Sequence, residues 1–242
     1  MKNSLIYVVI FAFMVLWWSP VYASQKECIV VLHGLWSNKY FFKPLEKFLK
    51  SAGYDVYIIG YPSVTKNIQT ISTKYVGKEI EQCLRKYDRV HFVTHSLGGI
   101  VLRYYLQDKK IANVGRIVMV GHPNKGSGLV DRFKEESESL CGIIAGPAAQ
   151  QIGTDKKALV WTLKPLPYEI GIIAGDNPGN PWFSSAIPGA DDGRVSVESA
   201  RLEEMKDFIV VHHQHTFILN HRDVRKQILN FIRQGQFMRT TD

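Results

Sequence analysis

The order of hydrophobic segments predicts an α/β fold, a doubly wound and mostly parallel sheet flanked by helices. Three observations carry it. Short apolar runs alternate with longer segments of helical period. The polar residues His33, Ser96, His122 and Asp176 each follow directly on one of those runs, so parallel strands would bring all four to the same sheet edge. No internal repeat, low-complexity tract or long linker divides the chain, which predicts one domain over 24–242.

The elements follow in order. Cys28 to Leu32 is a short apolar strand ending at His33-Gly34. Apolar spacing predicts a helix over Lys43 to Ala52, with Gly53 placed to end it. Val56 to Ile59 is a second strand, Ile68 to Tyr87 a long helix and Val90 to Thr94 a third strand. Leu97 to Leu106 is apolar on all sides and reads as a buried helix. Arg116 to Val120, Glu169 to Ala174 and Phe208 to Val211 supply three more strands, and Gln227 to Gln234 lies in a closing helix. Right-handed crossovers would cover both faces and leave ligands at the carboxyl ends of the strands.

The N-terminus differs in kind. Lys2 precedes an apolar run from Leu5 to Trp18, then Ser19-Pro20 and Val21-Tyr22-Ala23. This is the pattern of a secretory signal peptide over 1–23, cleaved after Ala23, which predicts a periplasmic or secreted protein. An uncleaved N-terminal membrane anchor is the alternative, although the run is shorter than the ~20 residues a spanning helix needs. Export would put the cysteines in an oxidising compartment. Cys28 starts a strand and Cys83 ends a helix, so a Cys28–Cys83 disulfide and a set of buried free thiols both stand, with Cys141 left over.

Lys and Arg outnumber Asp and Glu by 30 to 22, a formal charge of +8. Such a balance favours contact with anionic lipid or envelope surfaces. The basic residues are scattered, apart from Arg222, Arg225, Lys226 and Arg233, and no motif supports nucleic-acid binding. No Cys/His spacing calls for a metal, and no cofactor motif occurs.

The chemistry centres on Thr94-His95-Ser96-Leu97-Gly98, directly after the third strand and before the buried helix. A strand–turn–helix with serine at its apex exposes the hydroxyl and sets the next backbone N–H beside a forming oxyanion. The usual pattern is G-x-S-x-G, and here Thr94 stands at the first glycine. A serine hydroxyl needs an adjacent base, itself oriented by a carboxylate. Asp191-Asp192-Gly193-Arg194-Val195 follows the fifth strand, and His212-His213-Gln214-His215-Thr216 follows the sixth.

With these residues the chain resembles the lipase-like α/β-hydrolases, especially the small bacterial serine lipases and esterases. The resemblance rests on His33-Gly34-Leu35, His95-Ser96-Leu97-Gly98-Gly99, Asp192-Gly193-Arg194-Val195 and His215-Thr216-Phe217. It implies Ser96 as nucleophile, His215 as general base and acid, and Asp192 as the carboxylate that orients it. The backbone N–H groups of Leu35 and Leu97 would form the oxyanion hole. The implied activity is hydrolysis of a small-molecule or lipid ester through an acyl-Ser96 intermediate. An acyltransferase, amidase or thioesterase on the same fold is the alternative, and a non-catalytic binding protein of this fold is a further one.

Each assignment has a rival. Asp176 stands at the end of the fifth strand, and Asp191 adjoins Asp192. His212 and His213 continue the sixth strand more directly than His215 does. His33 and His95 read as packing and loop-shaping residues, and His122 as a turn before Pro123 or a pocket residue. The connection over 126–168 is long enough for a lid over an acyl pocket or for another sheet-covering helix. Trp36, Tyr40, Phe41 and Phe42 would floor the acyl groove or join the core.

Overall fold

The computed structural model describes residues 25–136 and 146–239. The expected leader 1–23 and Cys141 lie outside the described residues. The strands are β1 (Glu27–Leu32), β2 (Asp55–Ile59), β3 (Arg89–His95), β4 (Val114–Val120), β5 (Ile170–Gly175) and β6 (Asp207–Val211). They pair in parallel in the order β2-β1-β3-β4-β5-β6. The chain therefore winds outward in both directions from β1 and β3, and the carboxyl end of β3 falls mid-sheet beside the switch in strand order.

The central strands read as unbroken apolar runs because both of their faces are covered. On one face Val30, Leu32, Phe92, Ile117 and Met119 join a core shared with α2 and α3. Here α2 comprises Ile68–Thr70, a π-helical stretch Ile71–Val76 and Gly77–Lys86, and α3 is Leu97–Leu106. The alternate residues Ile29, Val31, Val93, Val118 and Val120 face α1 (Lys43–Ser51) and α5 (Arg222–Gln234). Period-two alternation along each strand thus builds two cores from one sheet.

One helical feature was not legible in the pattern. The wide turn in α2 lets Ser72 Oγ donate to the Val101 carbonyl of α3 at 3.1 Å, a contact with no periodic signature. The closing helix runs Arg222–Gln234, taking in the expected Gln227 to Gln234 and the basic residues Arg222, Arg225, Lys226 and Arg233, with the buried Val224 as the apolar anchor of its first turn.

The connection after β4 holds α4 (Gly128–Glu136), a helical stretch over 146–150 and a 3-10 turn at Leu159–Trp161. Gln151 pins it to the start of α2: its side-chain oxygen accepts from the Ile68 N–H, and its amide donates to Gln69.

The last turn of α2 packs over the start of β1 and brings Cys28 and Cys83 together, both buried. Both are free thiols here, and their adjacency is the neighbourhood that either the thiol pair or the disulfide expected from sequence requires. Their sulfurs hydrogen-bond one another, which together with burial pushes the Cys28 thiol upward. No helix among the described residues is long and apolar enough to cross a membrane.

Candidate active site

Ser96 follows directly on β3 in the left-handed region, at φ 51° and ψ −127°, and α3 starts at the next residue. A non-glycine residue in this region is strained, and such strain is held only where surrounding packing enforces it. The enforcement comes from the turn after β1. A Cβ on Gly98 would lie 2.6 Å from the Leu32 carbonyl oxygen and 2.7 Å from that of His33. A Cβ on Gly34 would meet Ser96 Cβ at 2.9 Å. Strand, turn and helix approach this closely because those two positions lack side chains.

Thr94, the departure from the usual motif, is fully buried, and its hydroxyl is bonded to His122 Nε2 at 2.9 Å. The bulk and polarity of threonine are thus absorbed by a histidine from the end of β4. His122 is wholly enclosed, and burial pushes its pKa down to about 3, with His215 and Arg103 acting in the same sense. Among the described residues its Nδ1 has no partner.

The downstream acid and base meet. Asp192 Oδ2 accepts from His215 Nδ1 at 2.8 Å, and both side chains are almost completely buried. The other oxygen of Asp192 accepts the backbone N–H groups of Arg194 at 3.0 Å and Val195 at 2.9 Å. The His215 N–H in turn bonds the Asp192 carbonyl at 2.9 Å. The carboxylate is therefore held from three sides, and it leaves His215 Nε2 free for other chemistry. His95 Nε2 donates to the His215 carbonyl at 3.0 Å, its ring 4.8 Å from that of His215. Burial and the neighbouring His215 hold His95 well below its ordinary pKa, so it serves as a neutral donor. His33 stacks on Tyr61 with ring centroids 4.0 Å apart and anchors the turn after β1.

The rival residues go elsewhere. Asp176 pairs with the exposed His212 at 2.8 Å. Asp191 holds its own loop through Ser184 Oγ and the Gly193 N–H. His213 bonds Asp223 and stacks on His221 with centroids 3.6 Å apart.

Ser96 and His215 line one pocket of about 170 Å³, together with His95 and Leu35. Its apolar wall comes from the connection after β4: Leu129, Val130, Phe133, Ala149 and Ile152. Trp36, Phe41 and Phe42 line it from the β1 side, whereas Tyr40 points out at 63% exposure beneath Lys39 and Lys43. Leu97 opens α3, in the turn where helix geometry leaves N–H groups without an intrahelical acceptor. Sequence reasoning passed over Arg194, which also lines the pocket. Its place inside the Asp192 loop was the available signal.

Several known proteins share this architecture. A Bacillus licheniformis lipase in its mature form superposes with a TM-score of 0.74 at 19% identity, over 88% of this chain and 93% of that one. A metagenomic carboxyl esterase gives 0.62 at 15% identity, over 80% of this chain and 65% of the esterase. A Legionella pneumophila phospholipase gives 0.60 at 15% identity over 72% of this chain; the match spans 45% of the phospholipase, which is the longer protein. At these identities the likeness is one of fold. No curated protein matches the sequence. Residues 28–162, more than half of the chain, match the palmitoyl protein thioesterase family. The chain therefore belongs to that family, built on the lipase-like α/β-hydrolase fold.

Proposed function

We propose that this protein is a serine hydrolase that cleaves carboxylic esters of acyl chains, with Ser96, Asp192 and His215 as its triad. The observation that carries this reading is the buried 2.8 Å pair of Asp192 and His215, opening on the pocket that Ser96 lines from its left-handed turn. Ser96 Oγ attacks the acyl carbonyl while His215 Nε2 takes its proton. The tetrahedral oxyanion rests on the N–H groups of Leu35 and Leu97, each worth about 2.7–4 kcal/mol in comparable sites. His215 then returns the proton to the departing alcohol, leaving an acyl-Ser96 ester. Water, deprotonated by His215, releases the acid and restores the hydroxyl. Asp192 holds the imidazole in the required tautomer and stabilises its protonated form. The acyl chain would lie along the wall of Leu129, Val130, Phe133 and Ile152.

A fluorophosphonate should label Ser96 in the native protein and fail after heat denaturation. Ser96→Ala should lose at least about 10⁴-fold in kcat on an ester panel while keeping the same thermal unfolding profile. Full esterase activity in that variant would sink the reading.

Thioester hydrolysis is the second reading, favoured by the family match over residues 28–162. The same triad serves both, since a thiolate leaves more readily than an alkoxide. Matched oxygen esters and thioesters of one acyl chain, compared by kcat/KM, separate the two.

A further inference from the structure

Arg194 lies in the loop that presents Asp192, and its side chain lines the pocket beside Ser96 and His215. Its backbone is already committed: the N–H bonds Asp192, and the carbonyl accepts from Ser127 Oγ at 2.9 Å. The side chain is not needed for either bond. Among the described residues lining the pocket, it is the one permanently charged group, and no carboxylate lines the pocket with it. The two acids nearest in sequence are engaged elsewhere. Asp192 is saturated by His215 and two backbone N–H groups, and Asp191 by Ser184 and Gly193. Among the described residues the guanidinium makes no ion pair; its aromatic neighbour is Trp36, with Cζ 5.9 Å from the ring centroid.

The guanidinium is half-buried, and burial pushes its pKa down while Asp192 pulls the other way. Holding a cation in a largely apolar pocket, with only the already engaged Asp192 acting on it as counter-charge, is costly, and an arriving anion offsets that cost. The apolar wall is suited to the acyl chain. Trp36, the ring beside Arg194, is 44% exposed and marks the pocket's mouth, where the alcohol portion of an ester would project. Lys39 and Lys43, stacked over Tyr40 on the adjoining turn, extend the positive field outside it.

Building on the ester-hydrolase reading, we infer that Arg194 selects acyl esters whose alcohol portion carries an anion, a phosphate or a carboxylate, within guanidinium reach of the scissile carbonyl. A planar fork of donors suits either group.

The test compares decanoyl esters of glycerol, glycerol phosphate and glyceric acid with the wild-type protein, Arg194→Met and Arg194→Lys. The expected result is a kcat/KM preference of about tenfold or more for an anionic ester over the neutral one. It should collapse toward unity in Arg194→Met and be partly kept in Arg194→Lys. Preference for only one of the two anions still supports the inference and identifies the group. A binding arm needs no turnover: by calorimetry, Ser96→Ala should hold decyl phosphate or decanoate more tightly than decanol, and the Ser96→Ala, Arg194→Met double variant should lose that difference. Equal cleavage of neutral and anionic esters, or a preference that survives in Arg194→Met, overturns the inference and leaves the hydrolase reading standing. Cleavage of none of the esters overturns both.

Discussion

Thr94 and His122 form a buried polar pair directly beneath the Ser96 turn, and the pair has a pH signature. His122 has an ordinary pKa of 6.5 and is driven to about 3 by burial. Between those values the unfolded chain binds a proton that the folded one refuses, so stability falls as pH drops through the window. The loss from this residue approaches about 5 kcal/mol at the acid end. His95, depressed by the same cause, adds in the same direction. Thermal unfolding midpoints should fall between pH 6.5 and 3, and His122→Gln should flatten that slope. An unchanged slope in the variant would show that the acid sensitivity arises elsewhere. The carboxylates allow an equally direct comparison. Asp192→Asn should lower kcat by about 10⁴-fold by removing the acceptor for His215 Nδ1. Asp176→Asn, which loses a partner of exposed His212, should stay within about twofold.

The crossing of β1 and α3 shapes the site more than either element alone. Gly98 in the first turn of α3 lies against the carbonyls of Leu32 and His33, and neither backbone can yield without moving the Leu35 turn. Gly98→Ala should cost about 1–3 kcal/mol and lower kcat more than it raises KM, since the strain falls on the proposed oxyanion donors. Urea unfolding and steady-state kinetics read the two effects separately. The opposite face is a purely structural contrast. Phe231 of α5 is fully buried against Gly171 of β5, where a Cβ would sit 2.6 Å from its ring. Phe231→Ala should cost about 3–5 kcal/mol with little change in kcat of the folded protein.

The sheet as a whole collects its chemistry on one edge because every strand runs the same way. The turns after β1 and β3, the loop carrying Asp192 and the turn after β6 all open there, and the connection after β4 walls the result. β1 begins at Glu27, only a few residues beyond Ala23. Cleavage after Ala23 would therefore leave the sheet intact. N-terminal sequencing of exported protein is expected to read from Ser24, and an intact Met1 would argue for the anchored alternative.

Composition and periodicity were enough for the parallel architecture, because apolar runs buried on both faces and helices of regular spacing leave a signal in every window. Motif order offered Ser96 with the acidic and histidine stretches after the fifth and sixth strands, and the resemblance to the lipase-like α/β-hydrolases picked Asp192 and His215 from them. Contacts between distant segments leave no such trace. Sequence left Asp176, Asp191, His212 and His213 in contention, and it was the path of two loops that set Asp192 on His215 and the others on separate partners. The roles of His122 in satisfying Thr94, of His95 in bracing His215, and of Arg194 as the pocket's cation arise from packing across β3, β4 and β6. Such pairings depend on where the chain returns in space. One-dimensional spacing named the reactive groups, and three-dimensional enclosure determined which of them are neutral, which are paired, and which cation lines the pocket.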